Sequence, residues 1–260
     1  MAQPIPVGPG RRVKHGLHIG PWYLLCIVLL RPLLMLLTKR DWRGRENLGK
    51  SGTGLVVAVN HLSWFDPLAS AHFLYDAGRV PRFLGKVAVF EVPVIGRILR
   101  GAGQIPVYRE TREAVQALQA AIAAVEAGEC VGVYPEATIT RDPDLWPMTA
   151  KTGAARIALV TGCPLIPLAV WGPQEVMWPY RKQFKILPRK TMHVWAGSPV
   201  QLDDLRDKPL DSATLRLATD RLMSAITELL EQIRGETAPA VRFDRRRVYD
   251  PTFEPDGDNP

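Results

Sequence analysis

Asn60-His61-Leu62-Ser63-Trp64-Phe65-Asp66-Pro67 sets an imidazole and a carboxylate five residues apart. Residues five apart do not share a face of a continuous helix, so the pair acts together only where a loop folds the carboxylate back onto the ring. A carboxylate so placed fixes which ring nitrogen carries the proton and stabilises the imidazolium that forms, leaving the other nitrogen as a base. Positioned proton transfer of this kind contributes about 10²–10⁴-fold near neutral pH. No serine or cysteine is marked as a nucleophile, so the hydroxyl to be activated belongs to a substrate. The bland alternative stays open, because H-x4-D is short and an Asp before Pro is also an ordinary helix N-cap. His15, His18, His72 and His193 have no comparable partner pattern.

The elements that must position this pair follow from apolar patterning. Thr53–Val59 reads as a strand that ends at the motif, and Asp66–Tyr75 as a helix with Pro67 in its first turn. Gln104–Tyr108 and Cys130–Tyr134 read as strands on either side of a helix over Thr111–Ala127. There Val115, Leu118, Ile122 and Val125 recur at three- and four-residue steps before Gly128. Thr152–Thr161 reads as a helix, Pro164–Trp171 and Thr191–Ala196 as strands, and Ser212–Ile233 as a closing helix. This alternation predicts an α/β fold with a mixed, largely parallel sheet flanked by helices. Catalysts of such sheets gather outside the carboxyl ends of the strands, where the His61 motif falls.

The chain has 260 residues, 47% apolar and 23% charged, which fits one globular domain and excludes general disorder, collagen-like repeats and a polytopic membrane protein. Its net charge of +7 is local. Residues 1–60 hold nine Lys and Arg against two Asp and Glu, whereas the rest is balanced. Anionic membrane and nucleic acid are the candidate partners for that excess. Cys26, Cys130 and Cys163 show neither a disulfide nor a metal-ligand spacing, which favours a reducing, cytosol-facing location and predicts no metal site. The dinucleotide glycine fingerprint, the phosphate loop and the GxSxG elbow are absent from the sequence.

The apolar run Trp22–Leu30 resumes at Leu33–Leu37 after Arg31 and Pro32, too interrupted for a spanning helix of roughly 20 apolar residues. Basic residues flank it on both sides, so both ends prefer the same anionic leaflet. Trp22, Tyr23 and Trp42 near the charged edges favour an interfacial anchor over a buried core helix or a signal peptide, and nucleic acid loses ground as a partner. The predicted organisation is a membrane-associating segment over 1–45, a catalytic domain over 46–235 and a flexible tail over 236–260.

Four ordered blocks now carry a resemblance. They are Asn60–Asp66; Gly103-Gln104-Ile105-Pro106-Val107-Tyr108-Arg109; Tyr134-Pro135-Glu136-Ala137-Thr138; and Leu165-Ile166-Pro167-Leu168-Ala169. Lys86, Phe90, Pro93 and Gly96, and Lys151-Thr152-Gly153-Ala154, agree between them. Over roughly residues 40–200 the sequence resembles the 1-acyl-sn-glycerol-3-phosphate acyltransferase family of the glycerolipid acyltransferase superfamily. The resemblance implies an O-acyltransferase of phospholipid biosynthesis that moves a fatty acyl group from a thioester, acyl-CoA or acyl-carrier protein, to a lysophospholipid hydroxyl. It implies no bound cofactor and no covalent acyl-enzyme. His61 would be the base and Asp66 its orienting partner. Arg109 would contact the acceptor phosphate, Glu136 would bind the acceptor, and the backbone at Ala137 and Thr138 would face the developing oxyanion. Lys86 and Lys151 would help hold anionic groups. The implied place of work is the cytoplasmic face of the cell membrane, peripherally or monotopically bound.

The third block departs from the family pattern. Ala137 stands where the family has glycine, implying a turn without a positive φ angle, and Ile139 replaces a frequent basic residue, with Arg141 two positions on. Residues 178–190 interleave five cations with Trp178, Tyr180 and Phe184. Such a segment suits anionic lipid or coenzyme A phosphates, and also an ordinary solvated loop. Glycerol 3-phosphate, another lysophospholipid or a glycolipid headgroup remain alternative acceptors. A thioesterase and a non-catalytic basic protein remain alternatives of other kinds.

Overall fold

The computed structural model describes residues 11–13, 17–107, 111–181 and 183–244. In chain order the elements are β1 (Arg11–Val13), β2 (Leu17–Ile19), α1 (Pro21–Leu37), β3 (Thr38–Arg43), β4 (Leu55–Val59), α2 (Asp66–Asp76), β5 (Pro81–Lys86), α3 (Val87–Phe90), α4 (Pro93–Gly101), β6 (Ile105–Val107) and α5 (Thr111–Glu126). Then come β7 (Cys130–Val133), α6 (Gly153–Thr161), β8 (Leu165–Trp171), α7 (Pro173–Val176), β9 (Lys190–Ala196), α8 (Asp203–Arg206) and α9 (Ser212–Arg234). Among the described residues the main sheet runs β3-β9-β8-β4-β7-β5-β6. Every pairing in it is parallel except β8 with β9. The expected α/β architecture with a largely parallel, mixed sheet is what forms.

The central strand explains the layering. All five residues of β4 are buried, as a strand covered on both faces requires. Its alternate side chains feed two cores. Val56 and Ala58 pack with Ala121 of α5, Ala158 of α6 and Leu222 of α9, and Leu55, Val57 and Val59 pack with Phe73 and Leu74 of α2. α9 closes the first layer with Asp211 as N-cap, accepting from the Thr214 N–H at 2.8 Å, and Gly235 in the left-handed region at its end.

Several sequence expectations need correction. In α5 the buried stripe is Ala117, Ala121, Ala124 and Val125, while Val115 is exposed, because small residues let the helix approach the sheet closely. β3 carries no strand signal in the sequence. It is an edge strand pairing with β9 from Thr38, so the body starts before residue 46, inside the segment assigned to the membrane. Trp42 is half-buried and packs on the body. It sits edge-on to His72 and Phe73, with ring centroids 4.7 and 5.8 Å away. Arg31, which interrupts the apolar run, ties α1 to α2 through Asp76 at 2.9 Å. The predicted tail begins with residues that hold to the body: the Thr149 N–H donates to the Phe243 carbonyl at 2.9 Å. Residues 245–260 lie outside the described residues.

Candidate active site

The His61 loop leaves β4 at its carboxyl end. Asn60 extends the sheet there, its side chain exchanging hydrogen bonds with the backbone N–H and carbonyl of Val170 in β8, at 2.8 and 3.0 Å. The chain then folds back so that Asp66, the first residue of α2, reaches the imidazole: His61 Nδ1 lies 2.8 Å from Asp66 Oδ2. The same oxygen accepts from the N–H groups of Leu62 and Ser63 at 2.5 and 2.8 Å. Asp66 is fully buried at a helix N-terminus, where partial positive charge favours a carboxylate. A carboxylate only accepts, so Nδ1 carries the hydrogen and Nε2 is left with a free lone pair.

The imidazole is backed by aromatic rings. Tyr134, at the end of β7, lies against it with centroids 4.4 Å apart, and Phe83 of β5 stacks on Tyr134 at 5.7 Å. Gly132 makes room for this stack, since a Cβ there would come within 2.4 Å of the Phe83 ring. Burial, with the Asp66 charge adding to it, holds the Tyr134 hydroxyl well above the usual phenol range.

The backbone of His61 is gripped on both sides. Its N–H donates to Glu136 Oε1 at 2.9 Å, and its carbonyl accepts from the Thr140 N–H at 2.7 Å. Glu136 Oε2 accepts from the Met148 N–H at 2.9 Å. Glu136 is therefore a buried brace between the histidine loop and residues 140–149. Both oxygens are engaged by backbone amides, a bracing role besides the acceptor contact that the resemblance implied. Burial pushes its carboxyl up to about 8 against the pull of the two amides.

Ala137 also differs from expectation. Its φ is +58°, so the turn does adopt the left-handed conformation that alanine disfavours. Its N–H donates to the Tyr134 carbonyl at 3.0 Å and is thereby taken from any oxyanion. Ala137→Gly is expected to stabilise the fold by about 1 kcal/mol, read as a Tm rise of about 2–4 °C; a lower Tm would mean that the turn is not strained.

Other expected site residues are placed less tightly. Lys86, ending β5, and Lys151, before α6, are exposed; Thr138 is half-buried. All three lie at the carboxyl side of the parallel strands, and the Lys151 N–H donates to the Pro135 carbonyl at 2.9 Å. Arg109 lies outside the described residues. Arg141 is exposed, its guanidinium 5.3 Å from the centre of the Tyr180 ring. Thr140, Met148 and Tyr134 were not foreseen in these roles. Tyr134 stands in the third block, but the other two act through backbone N–H groups, which leave no residue-type signal. Cys130 and Cys163 are buried, and burial pushes the Cys130 thiol up to about 12, so it is no ready nucleophile. Among the described residues no group of three or more His, Cys, Asp or Glu could hold a metal ion.

A family model described as Acyltransferase matches residues 39–171. The chain belongs to the acyltransferase family. This acyltransferase is 34% identical over 140 residues to the chloroplastic 1-acyl-sn-glycerol-3-phosphate acyltransferase BAT2 of Brassica napus, covering 54% of this chain and 39% of that protein. It therefore spans about two fifths of that relative's length. It is 27% identical to the 1-acyl-sn-glycerol-3-phosphate acyltransferase of Bacillus subtilis, over 80% of this chain and 96% of that one. The crystal structure of the 1-acyl-sn-glycerophosphate (LPA) acyltransferase PlsC from Thermotoga maritima shares the fold, with a TM-score of 0.63, 21% identity, and 83% and 81% of the two chains covered. The family match begins within β3, in agreement with the start of the sheet.

Proposed function

We propose that this acyltransferase moves a fatty acyl group from an acyl thioester to the free hydroxyl of 1-acyl-sn-glycerol 3-phosphate, giving phosphatidic acid for phospholipid synthesis. The hydrogen-bonded His61–Asp66 pair carries the proposal. Nε2 of His61 takes the proton of the acceptor hydroxyl as its oxygen attacks the thioester carbonyl. The C–S bond then breaks, and the departing thiolate takes the proton back from the imidazolium. The Thr138 N–H is the remaining backbone candidate for the oxyanion, a contribution of about 3 kcal/mol where such a donor is well aimed.

An apolar cavity of about 180 Å³ supports a fatty acyl substrate. It lies between α1, α2 and α4 and is lined by Tyr23, Ile27, Leu30, Leu68 and Ile98. Phe83 forms part of its wall and leads through Tyr134 to His61. His72, also on the wall, is pushed down to about 4, chiefly by burial, and so presents an uncharged ring.

On this reading the enzyme works on an anionic membrane, at its cytoplasmic face. α1 exposes Leu25, Val28, Leu29, Leu33 and Leu36. Among the described residues no helix is long and apolar enough to cross a membrane; on this reading the exposed face of α1 rests in the membrane interface. The test is to incubate purified protein with labelled palmitoyl-CoA and a panel of acceptors and to identify the lipid product. Label in phosphatidic acid is expected; no acylated acceptor from folded, membrane-bound protein would refute the proposal. On the same panel Arg109→Gln should lower kcat/KM about ten- to hundredfold for phosphate-bearing acceptors and leave a phosphate-free one unchanged. Equal loss on both would remove the phosphate role.

A further inference from the structure

The segment between α7 and β9 is rooted at its base and bare at its tip. Met177 and Ile186 pack against the core, and the Lys185 N–H donates to the Val176 carbonyl at 2.7 Å, closing the loop. Three ties hold it beside the site. Ser63 of the histidine loop donates its hydroxyl to the Met177 carbonyl at 2.6 Å. Tyr180 donates its hydroxyl to the Ile139 carbonyl at 2.6 Å. Arg189 donates to the carbonyls of Met35 and Thr38, at the end of α1, at 3.0 and 2.8 Å.

Beyond these ties Trp178, Phe184 and Leu187 are exposed, by 43%, 58% and 69%. Three large apolar side chains exposed within ten residues mark a candidate interaction surface. Their charged neighbours indicate which kind: Arg181 lies 6.0 Å from the centre of the Trp178 ring, and Arg181 and Lys185 are both exposed. Cations beside aromatic and aliphatic tips match a bilayer whose headgroups are negative and whose interior is apolar. Arg189 ties this segment to the end of α1, the turn that carries the exposed Leu36.

We propose that Trp178, Arg181, Phe184, Lys185 and Leu187 form a second membrane contact, which inserts Trp178, Phe184 and Leu187 into an anionic lipid surface and seats the histidine loop against it. This rests on the reading of α1 as the first membrane contact. Ser63 and Tyr180 link the loop directly to the two sides of the site, so seating it fixes where the site opens relative to the lipid.

The experiment compares wild-type protein with the triple variant Trp178→Ser/Phe184→Ser/Leu187→Ser and with Arg181→Glu/Lys185→Glu. Sedimentation with vesicles of phosphatidylcholine and phosphatidylglycerol gives the partition coefficient, and circular dichroism checks the fold. Both variants should partition about tenfold or more weakly, the second with a reduced dependence on salt. Turnover of a short-chain, monomeric acceptor should be unchanged. Partition of the triple variant equal to wild type would overturn the proposal. So would normal partition with lost turnover of the soluble acceptor, which would make the segment a donor-binding surface. Binding is measured without an acyl donor, so its outcome is independent of whether the acyl-transfer reading holds.

Discussion

His61→Ala is expected to lower acyl transfer by about 10²–10⁴-fold while leaving the protein folded. The substitution keeps the backbone N–H and carbonyl through which Glu136 and Thr140 hold the loop. Asp66 Oδ2 retains its two amide donors, so little besides the imidazole is lost. The comparison is of initial rates at saturating donor, with thermal unfolding of both proteins as the check on folding. Full activity in the variant would end the base assignment.

Glu136→Gln should be nearly as damaging, for a different reason. Two backbone N–H groups, of His61 and Met148, point at two carboxylate oxygens. Above about pH 8, where the carboxyl is ionised, both oxygens accept, whereas a glutamine amide offers one acceptor and turns its NH₂ towards the other donor, leaving a buried N–H unsatisfied at about 1–3 kcal/mol. The histidine loop then shifts, and misplacement near 1 Å can cost about 10²-fold in rate. The loss should fall on kcat. An acceptor-binding glutamate would instead raise the KM for acceptor, so the split between the two constants separates a brace from a ligand.

The same residue gives a pH signature. Its carboxyl is raised from 4.5 to about 8 by burial, so the folded chain holds this proton more tightly than the unfolded one. The stability it contributes is fully present below about 4.5 and is lost as pH rises through about 8. Wild type should therefore show a downward slope in unfolding free energy across that window, and Glu136→Gln should lack this component. An identical slope in both proteins would mean that another group is responsible.

Much of this was legible in the sequence, and the gaps have physical causes. β4, β7 and β8 announce themselves because strands buried on both faces are continuous apolar runs. β3 hides because it is an edge strand with exposed Lys39, Arg40 and Arg43, so charge masks its pairing with β9. β5 carries Arg82 and Gly85 and shows no strand pattern. The His61–Asp66 pair is legible because side-chain chemistry and spacing both mark it. The grip on its backbone is not: Glu136 lies 75 residues from His61 and 12 from Met148, and its partners are amides that any sequence supplies. The left-handed Ala137 reads as the opposite from the sequence, since alanine argues against the conformation that the Tyr134–Ala137 turn imposes.

The central claim is direct transfer, in which His61 activates the acceptor and no protein group carries the acyl chain. It is tested most directly by a single-turnover quench of enzyme mixed with labelled palmitoyl-CoA, with and without 1-acyl-sn-glycerol 3-phosphate. Label is expected to stay in the thioester without acceptor, and to pass to phosphatidic acid with it, never appearing on protein. Label trapped on the protein, or released as free acid whether or not acceptor is present, would contradict it.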